Sequence, residues 1–113
     1  MREDGKIDYV EMPGGDLVAT KAFYIKAFGW SFTDYGPDYA AYSEGLDGGF
    51  DGDTASALAK PLVVLFAKDL EAMEAKVVAA GGVVLKPVFS FPGGRRFHFR
   101  DPGGNELAVW SEG

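Results

Sequence analysis

His98 is the only histidine in this chain of 113 residues, and imidazole is the side chain whose charge changes near neutral pH. It lies in a predicted strand, Arg96-Phe97-His98-Phe99-Arg100, in which successive side chains point to opposite faces. A helix-covered face suits Phe97 and Phe99, so His98 is predicted to lie on the opposite face. There it can serve as an acid, a base or a hydrogen-bond partner. A structural or surface histidine is the alternative.

Glu11 and Tyr9 share one face of another predicted strand, at residues 7–12. In a cleft with little water the pKa of a carboxyl group is raised, and the group becomes a candidate base. With His98, these two residues form the predicted catalytic set of a metal-independent enzyme. The simpler interpretation of Glu11 is a salt bridge to an arginine.

Four basic residues and no acidic residue occur between positions 86 and 100, namely Lys86, Arg95, Arg96 and Arg100. The net charge of the whole chain is -6, so this segment differs in sign from the rest. An arginine at the rim of a cleft favours a ligand with a carboxylate or phosphate, and Arg96 is predicted to bind ligand. The alternative is a solvated hairpin whose arginines pair with a partner chain.

The composition excludes several classes of function. An acidic chain is a poor partner for nucleic acid or for an anionic membrane surface. The sequence has no cysteine, so it has no disulfide and no thiolate nucleophile or ligand. Its N-terminus is charged and its longest apolar run, residues 62–67, is too short to span a bilayer, so we expect a cytoplasmic protein that does not bind membranes.

The elements that must position these residues form two copies of one unit. Residues 16–29 and 69–82 lie 53 positions apart, and six of their fourteen positions are identical. The identical pairs are Asp16/Asp69, Leu17/Leu70, Ala19/Ala72, Ala22/Ala75, Ala27/Ala80 and Gly29/Gly82. Each copy is predicted to be a helix that an aspartate caps and a glycine ends. Two unrelated amphipathic helices are the alternative.

Apolar residues in both copies recur at the helical spacing i, i+3, i+4, i+7. In the first copy the predicted buried face consists of Leu17, Thr20, Phe23, Tyr24, Ala27 and Phe28. In the second copy it consists of Leu70, Met73, Val77 and Ala80.

Predicted strands surround each helix in the same order. They cover residues 7–12, 30–35, 39–43 and 48–51 in the first half, and 62–67, 83–86, 93–100 and 105–110 in the second, where 87–92 is an extended segment. We therefore predict a single α+β domain over residues 1–113, with module 1 at about 7–53, a connector at about 54–60 and module 2 at about 61–112.

Three pieces of the sequence resemble the vicinal oxygen chelate superfamily, which contains glyoxalase I, bleomycin-resistance proteins, fosfomycin-resistance proteins and extradiol dioxygenases. They are Ala22-Phe23-Tyr24 with Phe28-Gly29-Trp30, Asp69-Leu70 through Gly81-Gly82, and Arg100-Asp101-Pro102-Gly103-Gly104-Asn105. The last resembles the Asp-Pro-x-Gly-Asn turn of the family. Together the pieces span most of residues 7–112, but they do not specify a reaction, because members share the fold and differ in the site.

The resemblance implies paired βαβββ modules that form an open, eight-stranded, barrel-like cleft, completed or swapped in a homodimer. In metal-using relatives the ligands come from the first strand of each module and from the last strand, three residues beyond the asparagine. Carried onto this sequence, these positions are Tyr9, Leu62 and Ala108. Leucine and alanine have no donor atom, and a neutral tyrosine is a poor ligand for a divalent cation. We therefore predict no metal and no other cofactor.

The resemblance also places His98 where fosfomycin-resistance proteins and extradiol dioxygenases carry an active-site tyrosine. Phe66 and Trp110 fall on the inferred inner faces and make the cavity aromatic, as small-molecule sites usually are. The predicted ligand-binding set is Leu62, Phe66, Arg96, Ala108 and Trp110.

Three functions remain open at this point. The first is a homodimer that binds a small organic molecule without transforming it. The second is a metal-independent enzyme, for example an isomerase, that uses His98 with Glu11 or Tyr9. The third is a metal-dependent lyase or dioxygenase of the glyoxalase kind, built on Glu11 and His98 as non-standard ligands.

Overall fold

The computed structural model describes residues 2–53, 55 and 58–113. These residues form two compact units. The N-terminal unit comprises Tyr9–Leu62, and the C-terminal unit comprises the chain up to Asp8 together with Val63–Gly113. The predicted connector at 54–60 lies in part outside the described residues.

The N-terminal unit contains one helix and four strands. They are β1 (Ile7–Pro13, of which the first two residues belong to the C-terminal unit), α1 (Leu17–Phe28), β2 (Thr33–Asp34), β3 (Tyr39–Glu44) and β4 (Leu46–Asp51). The strands lie in the order β2-β3-β4-β1. β1 pairs with β4 in parallel, whereas β4 with β3 and β3 with β2 are antiparallel.

The C-terminal unit repeats this plan. Its elements are β5 (Leu62–Phe66, of which Leu62 belongs to the N-terminal unit), α2 (Leu70–Ala79), β6 (Val83–Phe91), β7 (Gly94–Arg100) and β8 (Glu106–Ser111). The strands lie in the order β6-β7-β8-β5, with β5 and β8 parallel and the other two pairs antiparallel. The same order in both units confirms the predicted α+β class with paired βαβββ modules, and with it the duplication.

The helix ends follow the predicted capping chemistry with one exception. The Asp16 carboxylate accepts a hydrogen bond from the Ala19 N–H, and Gly29 ends α1 in the left-handed conformation at φ 73°. In α2, Asp69 caps the first turn in the same way, but the helix ends at Ala79. Gly81, at φ 103°, is the residue that turns the chain away, so the prediction of Gly82 was wrong by one residue.

α2 covers one face of the C-terminal sheet as predicted. Leu70, Phe97 and Val109 are buried together, and Met73 and Val77 pack against them. In the hairpin, Phe97 lies opposite Val109 and Phe99 opposite Leu107. Both phenylalanines of β7 therefore lie on the helix-covered face, which confirms the predicted alternation.

α1 covers the N-terminal sheet less completely than predicted. Leu17 is buried with Tyr42 and Phe50, and Tyr24 and Trp30 pack against this cluster. Phe23 and Phe28 were predicted to share the buried face, but they are exposed. That prediction was wrong because α1 is apolar on most of its circumference, and helical spacing alone then cannot identify the inward face.

Two strand predictions were also wrong in extent. Of the predicted strand at 30–35, only Thr33–Asp34 pairs, because Trp30 and Phe32 pack into the core cluster. In the other module, β6 continues through Pro87 to Phe91 as one strand. Its pairing with β7 shifts register between Val84 and Lys86 and again between Lys86 and Phe89, which lets the ladder continue around the proline.

Gly48 and Gly49 let two tyrosines of β3 reach across β4 to β1. On the helix-covered face, Tyr42 lies opposite Gly48 and donates a hydrogen bond of 3.0 Å to the Val10 carbonyl. A Cβ at position 48 would collide with that carbonyl oxygen and with the Tyr42 ring, and a Cβ at position 49 would collide with the Tyr39 ring. Burial raises the pKa of Tyr42 to about 12, so it stays a neutral donor.

No helix in the described part of the chain is long and apolar enough to cross a membrane. The cytoplasmic location stays a prediction.

Candidate functional site

Five of the predicted site residues lie on the face of the C-terminal sheet opposite α2. His98 lies directly opposite Ala108, and Arg96 lies opposite Trp110. On the other side of β8, Phe66 lies opposite Trp110 in the parallel pairing. Because directly opposed residues share a face, Phe66, Arg96, His98, Ala108 and Trp110 form one surface, which we call the aromatic face.

His98 pairs with Glu106 on this face. The imidazole Nδ1 lies 2.9 Å from Glu106 Oε2, and only 1% of the His98 side chain is exposed. Burial lowers the pKa of His98, the hydrogen bond to Glu106 opposes that effect, and the positive charges of Arg96 and Lys86 lower the pKa further. His98 is therefore neutral at pH 7, with the Nδ1 proton donated to the carboxylate. The tautomer is assigned from this hydrogen bond.

The aromatic face extends onto β6, where Phe89 and Phe91 contact its members. The Phe89 ring lies 5.7 Å from the imidazole between centres. The guanidinium of Arg96 lies over both phenylalanine rings, at 5.5 Å and 5.3 Å from their centres. Such distances allow cation–π attraction, which holds a positive charge against an apolar surface.

Trp110 is fixed by the N-terminal segment of the same unit. Its indole N–H donates a hydrogen bond of 2.9 Å to the Asp8 carboxylate, and Arg2 lies over its ring at 5.1 Å. The Trp110 ring also contacts Phe66 and Phe91 at 5.6 Å and 6.4 Å. These contacts hold one edge of the aromatic face in a single arrangement.

In the N-terminal unit, Tyr9 and Glu11 are joined through Tyr39. The Tyr39 hydroxyl lies 2.6 Å from that of Tyr9 and donates to the Glu11 carboxylate at 3.1 Å. Tyr39 reaches both residues by passing over Gly49. Burial raises the pKa of Tyr39 and of Tyr9, with the negative charge of Glu11 adding to both effects. Both tyrosines therefore stay neutral, able to donate hydrogen bonds but not to act as bases near pH 7.

The residues at the metal-binding positions implied by the resemblance do not fit a metal ion. Leu62 and Ala108 have hydrocarbon side chains, are 1% and 0% exposed, and supply no donor atom. The third position is Tyr9, whose hydroxyl is bonded to Tyr39. No group of three or more His, Asp or Glu side chains in the described ranges could hold a metal ion.

A cavity of about 450 Å³ lies next to α1, on the face of the N-terminal unit opposite Tyr9 and Glu11. Its walls include Met12, Thr20, Phe23, Tyr24 and Phe50. None of the predicted site residues lines it.

The residues of these clusters that were missed from the sequence include Glu106 and Tyr39, which are hydrogen-bonded to His98 and Glu11. Glu106 was detectable, because the predicted hairpin pairing places it on the His98 face, diagonally across from the histidine. Tyr39 was not, because it reaches Glu11 only by crossing an intervening strand at Gly49.

The fold belongs to a known class of proteins. A family model of the Glyoxalase/Bleomycin resistance protein/Dioxygenase superfamily matches residues 6–109, and the chain belongs to this superfamily. The resemblance inferred from the sequence is therefore confirmed. A comparison with curated proteins found no match.

Several solved structures are similar. Methylmalonyl-CoA epimerase from Mycobacterium tuberculosis has a TM-score of 0.74 and 14% identity, covering 100% of this chain and 91% of that one. A chain described as NAD-dependent benzaldehyde dehydrogenase from Legionella pneumophila has a TM-score of 0.77 and 12% identity, covering 93% and 98%. At these identities the likeness concerns the fold alone.

The Mn(II)-bound glyoxalase from Novosphingobium aromaticivorans has a TM-score of 0.68 and 25% identity. The match covers 99% of this chain but 40% of that glyoxalase. This chain thus corresponds to less than half of that protein.

Proposed function

We propose that this protein binds a small organic molecule on the aromatic face of the C-terminal unit, as a member of the glyoxalase and bleomycin-resistance type that does not use the usual metal. The observation that carries the proposal is the chemistry at the three metal positions of the family. Leu62 and Ala108 have hydrocarbon side chains, and the Tyr9 hydroxyl is hydrogen-bonded to the Tyr39 hydroxyl. None of these three side chains offers the carboxylate or imidazole donor that a divalent cation needs.

The aromatic face supports the binding part of the proposal. Small-molecule sites are lined mainly by aromatic and apolar groups, with a few polar groups that fix orientation. Phe89, Phe91 and Trp110 supply partly exposed rings, and Arg96 supplies a positive charge held between two of them. This combination favours a flat molecule that carries a carboxylate or another anionic group.

A metal-independent enzyme is the second candidate, and the pair of His98 and Glu106 favours it. A neutral imidazole that a carboxylate orients is a common arrangement for proton transfer. The sequence suggested Glu11 or Tyr9 as the partner. Within the C-terminal unit the carboxylate bonded to His98 is that of Glu106, and Glu11 is bonded to Tyr39 within the N-terminal unit.

Thermal unfolding in the presence of metals and organic probes tests the proposal. We expect Mn²⁺, Ni²⁺, Zn²⁺ and EDTA to leave the Tm unchanged, and some member of a panel of small aromatic carboxylates to raise it. A ligand at a hundredfold excess over its Kd adds about 2.7 kcal/mol to the free energy of unfolding, which is several degrees for a domain of this size.

A matched pair of variants locates the binding. Phe91→Ala, on the aromatic face, is expected to weaken the effect of the organic probe, whereas Tyr35→Ala, which removes an exposed ring outside both proposed surfaces, is expected to leave it intact. A large rise in Tm with one metal ion, reversed by EDTA, would contradict the proposal and favour the metal-dependent lyase or dioxygenase.

We also propose that the chain forms a homodimer and that α1 contributes to the interface. Val18 and Phe23 on α1 are 77% and 58% exposed, and Ile25 and Phe28 are exposed beside them. At the equivalent positions, α2 has Glu71 in place of Val18 and Lys76 in place of Phe23. The fold therefore does not require apolar residues there, and exposed apolar patches of this kind often bind another protein surface.

Introducing the residue types of α2 at the equivalent positions of α1 tests whether α1 forms the dimer interface. We expect the unmodified chain to have the mass of a dimer by light scattering and the double variant Val18→Glu, Phe23→Lys to have the mass of a monomer with unchanged circular dichroism. Lys76→Gln on α2 is the control and is expected to stay dimeric. A monomeric unmodified chain at every concentration, or a dimeric double variant, would refute the role of α1.

A further inference from the structure

The Nε2 atom of His98 is a buried polar atom without a hydrogen-bond partner among the described residues. Because Nδ1 carries the proton that is donated to Glu106, Nε2 carries a lone pair and can only accept a hydrogen bond. Buried polar atoms in folded proteins nearly always have a partner, and one without a protein partner requires an explanation, such as a bound water or a catalytic role. Nε2 is thus an acceptor that a ligand can satisfy.

The charges around His98 determine which ligand group suits this acceptor. Arg96 and Lys86 both act on the imidazole with positive potential, and Glu106 is the carboxylate bonded to it. If a bound hydroxyl group gives its proton to Nε2, the resulting imidazolium is held by Glu106, and the ligand oxygen keeps the negative charge in the field of the two cations. No other bond forms or breaks in this step.

The neighbouring rings determine the shape of the ligand. Phe89 lies against the imidazole at an interplanar angle of 33°. It is the first residue of β6 that pairs with β7 after the second register shift, and it lies opposite Arg96. A flat ligand can displace the Phe89 side chain and take its place against the imidazole.

We propose that the His98–Glu106 pair, together with the rings beside it, is a binding site for a weakly acidic hydroxyl group on an aromatic or enolic molecule. This inference rests on the proposed function, because it specifies the class of ligand bound at the aromatic face. The ligand hydroxyl donates to Nε2 of His98, and the ligand ring takes the place of the Phe89 ring against the imidazole.

Binding of p-nitrophenol, with p-nitroanisole as the matched probe without the hydroxyl, tests the inference. We expect equilibrium dialysis to show that the unmodified chain binds p-nitrophenol about tenfold more tightly than p-nitroanisole, the value for one hydrogen bond of about 1.4 kcal/mol. In His98→Phe, which keeps a ring but lacks the acceptor, the two probes should bind equally.

A second measurement needs no variant. Because the chain has one histidine, a long-range ¹H–¹⁵N spectrum contains the imidazole signals of His98 alone. We expect p-nitrophenol to shift the Nε2 resonance and p-nitroanisole to leave it in place.

The outcomes separate this inference from the proposed function. Equal binding of both probes with an unmoved Nε2 resonance overturns the hydroxyl site and supports the aromatic face as a general binding surface. Failure of p-nitrophenol to bind, while aromatic carboxylates raise the Tm, also overturns the hydroxyl site alone. If no organic probe binds and one metal ion stabilises the chain, both proposals are wrong.

Discussion

Replacing Phe97 with alanine is expected to lower the free energy of unfolding by about 3–5 kcal/mol, the usual cost of removing a fully buried phenylalanine ring. Phe97 is 0% exposed and packs in the cluster beneath α2 with Leu70, Phe99 and Val109. Its neighbour His98 points to the other face, so loss of the ring also loosens the strand that carries the candidate site. Urea unfolding followed by circular dichroism measures the change.

An exposed position in the same unit provides the comparison. Val78→Ala on α2 removes a side chain that is half in solvent, and it is expected to change the free energy of unfolding by less than about 0.5 kcal/mol. If both variants lose the same amount, the cluster beneath α2 is not the core that stabilises this unit.

The second large effect is expected for Gly48→Ala. The new methyl group would collide with the Val10 carbonyl oxygen, which belongs to the backbone of the adjacent strand, and with the Tyr42 ring. The two strands must separate or Tyr42 must leave its hydrogen bond, and such overpacking usually costs about 1–3 kcal/mol. The same unfolding experiment measures this cost.

Leu46→Ala is the control for this prediction, because Leu46 is on the same strand and is exposed. It is expected to be nearly neutral. A neutral Gly48→Ala variant would mean that Tyr42 does not cross β4 in solution as it does in the structure.

Much of the fold was predictable because its signals are local in the sequence. Asp16, Gly29 and Asp69 act on the backbone within a few residues of themselves, so their capping roles could be inferred without knowledge of the packing. The duplication then supplied the order of strands and helix in the second unit from the first. The alternation of Phe97 and Phe99 predicted which face of β7 is covered.

The errors arose where packing decides between local alternatives. Phe23 and Phe28 fit a helical stripe, yet α1 has apolar residues nearly all round, and the sheet can cover only one side of it. Trp30 and Phe32 have strand-like composition, but their rings are drawn into the cluster with Tyr42. The strand predicted at 83–86 was expected to end before Pro87, whereas shifts in register let β6 continue past the proline.

The candidate site was predictable to a similar degree. The residue types identified His98 and Arg96, and the hairpin pairing placed both on one face with Trp110. The partners of the charged groups were missed. Glu106 could have been found from the hairpin pairing, whereas Tyr39 reaches Glu11 across another strand. Contacts of this kind depend on exact register and on the absence of a side chain at Gly49, which no short pattern encodes.

The two tryptophans of the chain are placed one in each unit. Trp30 stacks on Tyr24 in the core of the N-terminal unit. Trp110 lies on the aromatic face and donates a hydrogen bond to the Asp8 carboxylate. Each half therefore carries its own intrinsic fluorophore, and a pair of Trp→Phe variants makes the emission specific to one half. The duplicated halves can then be followed separately during denaturation, and quenching of Trp110 alone would locate a bound compound without any attached dye.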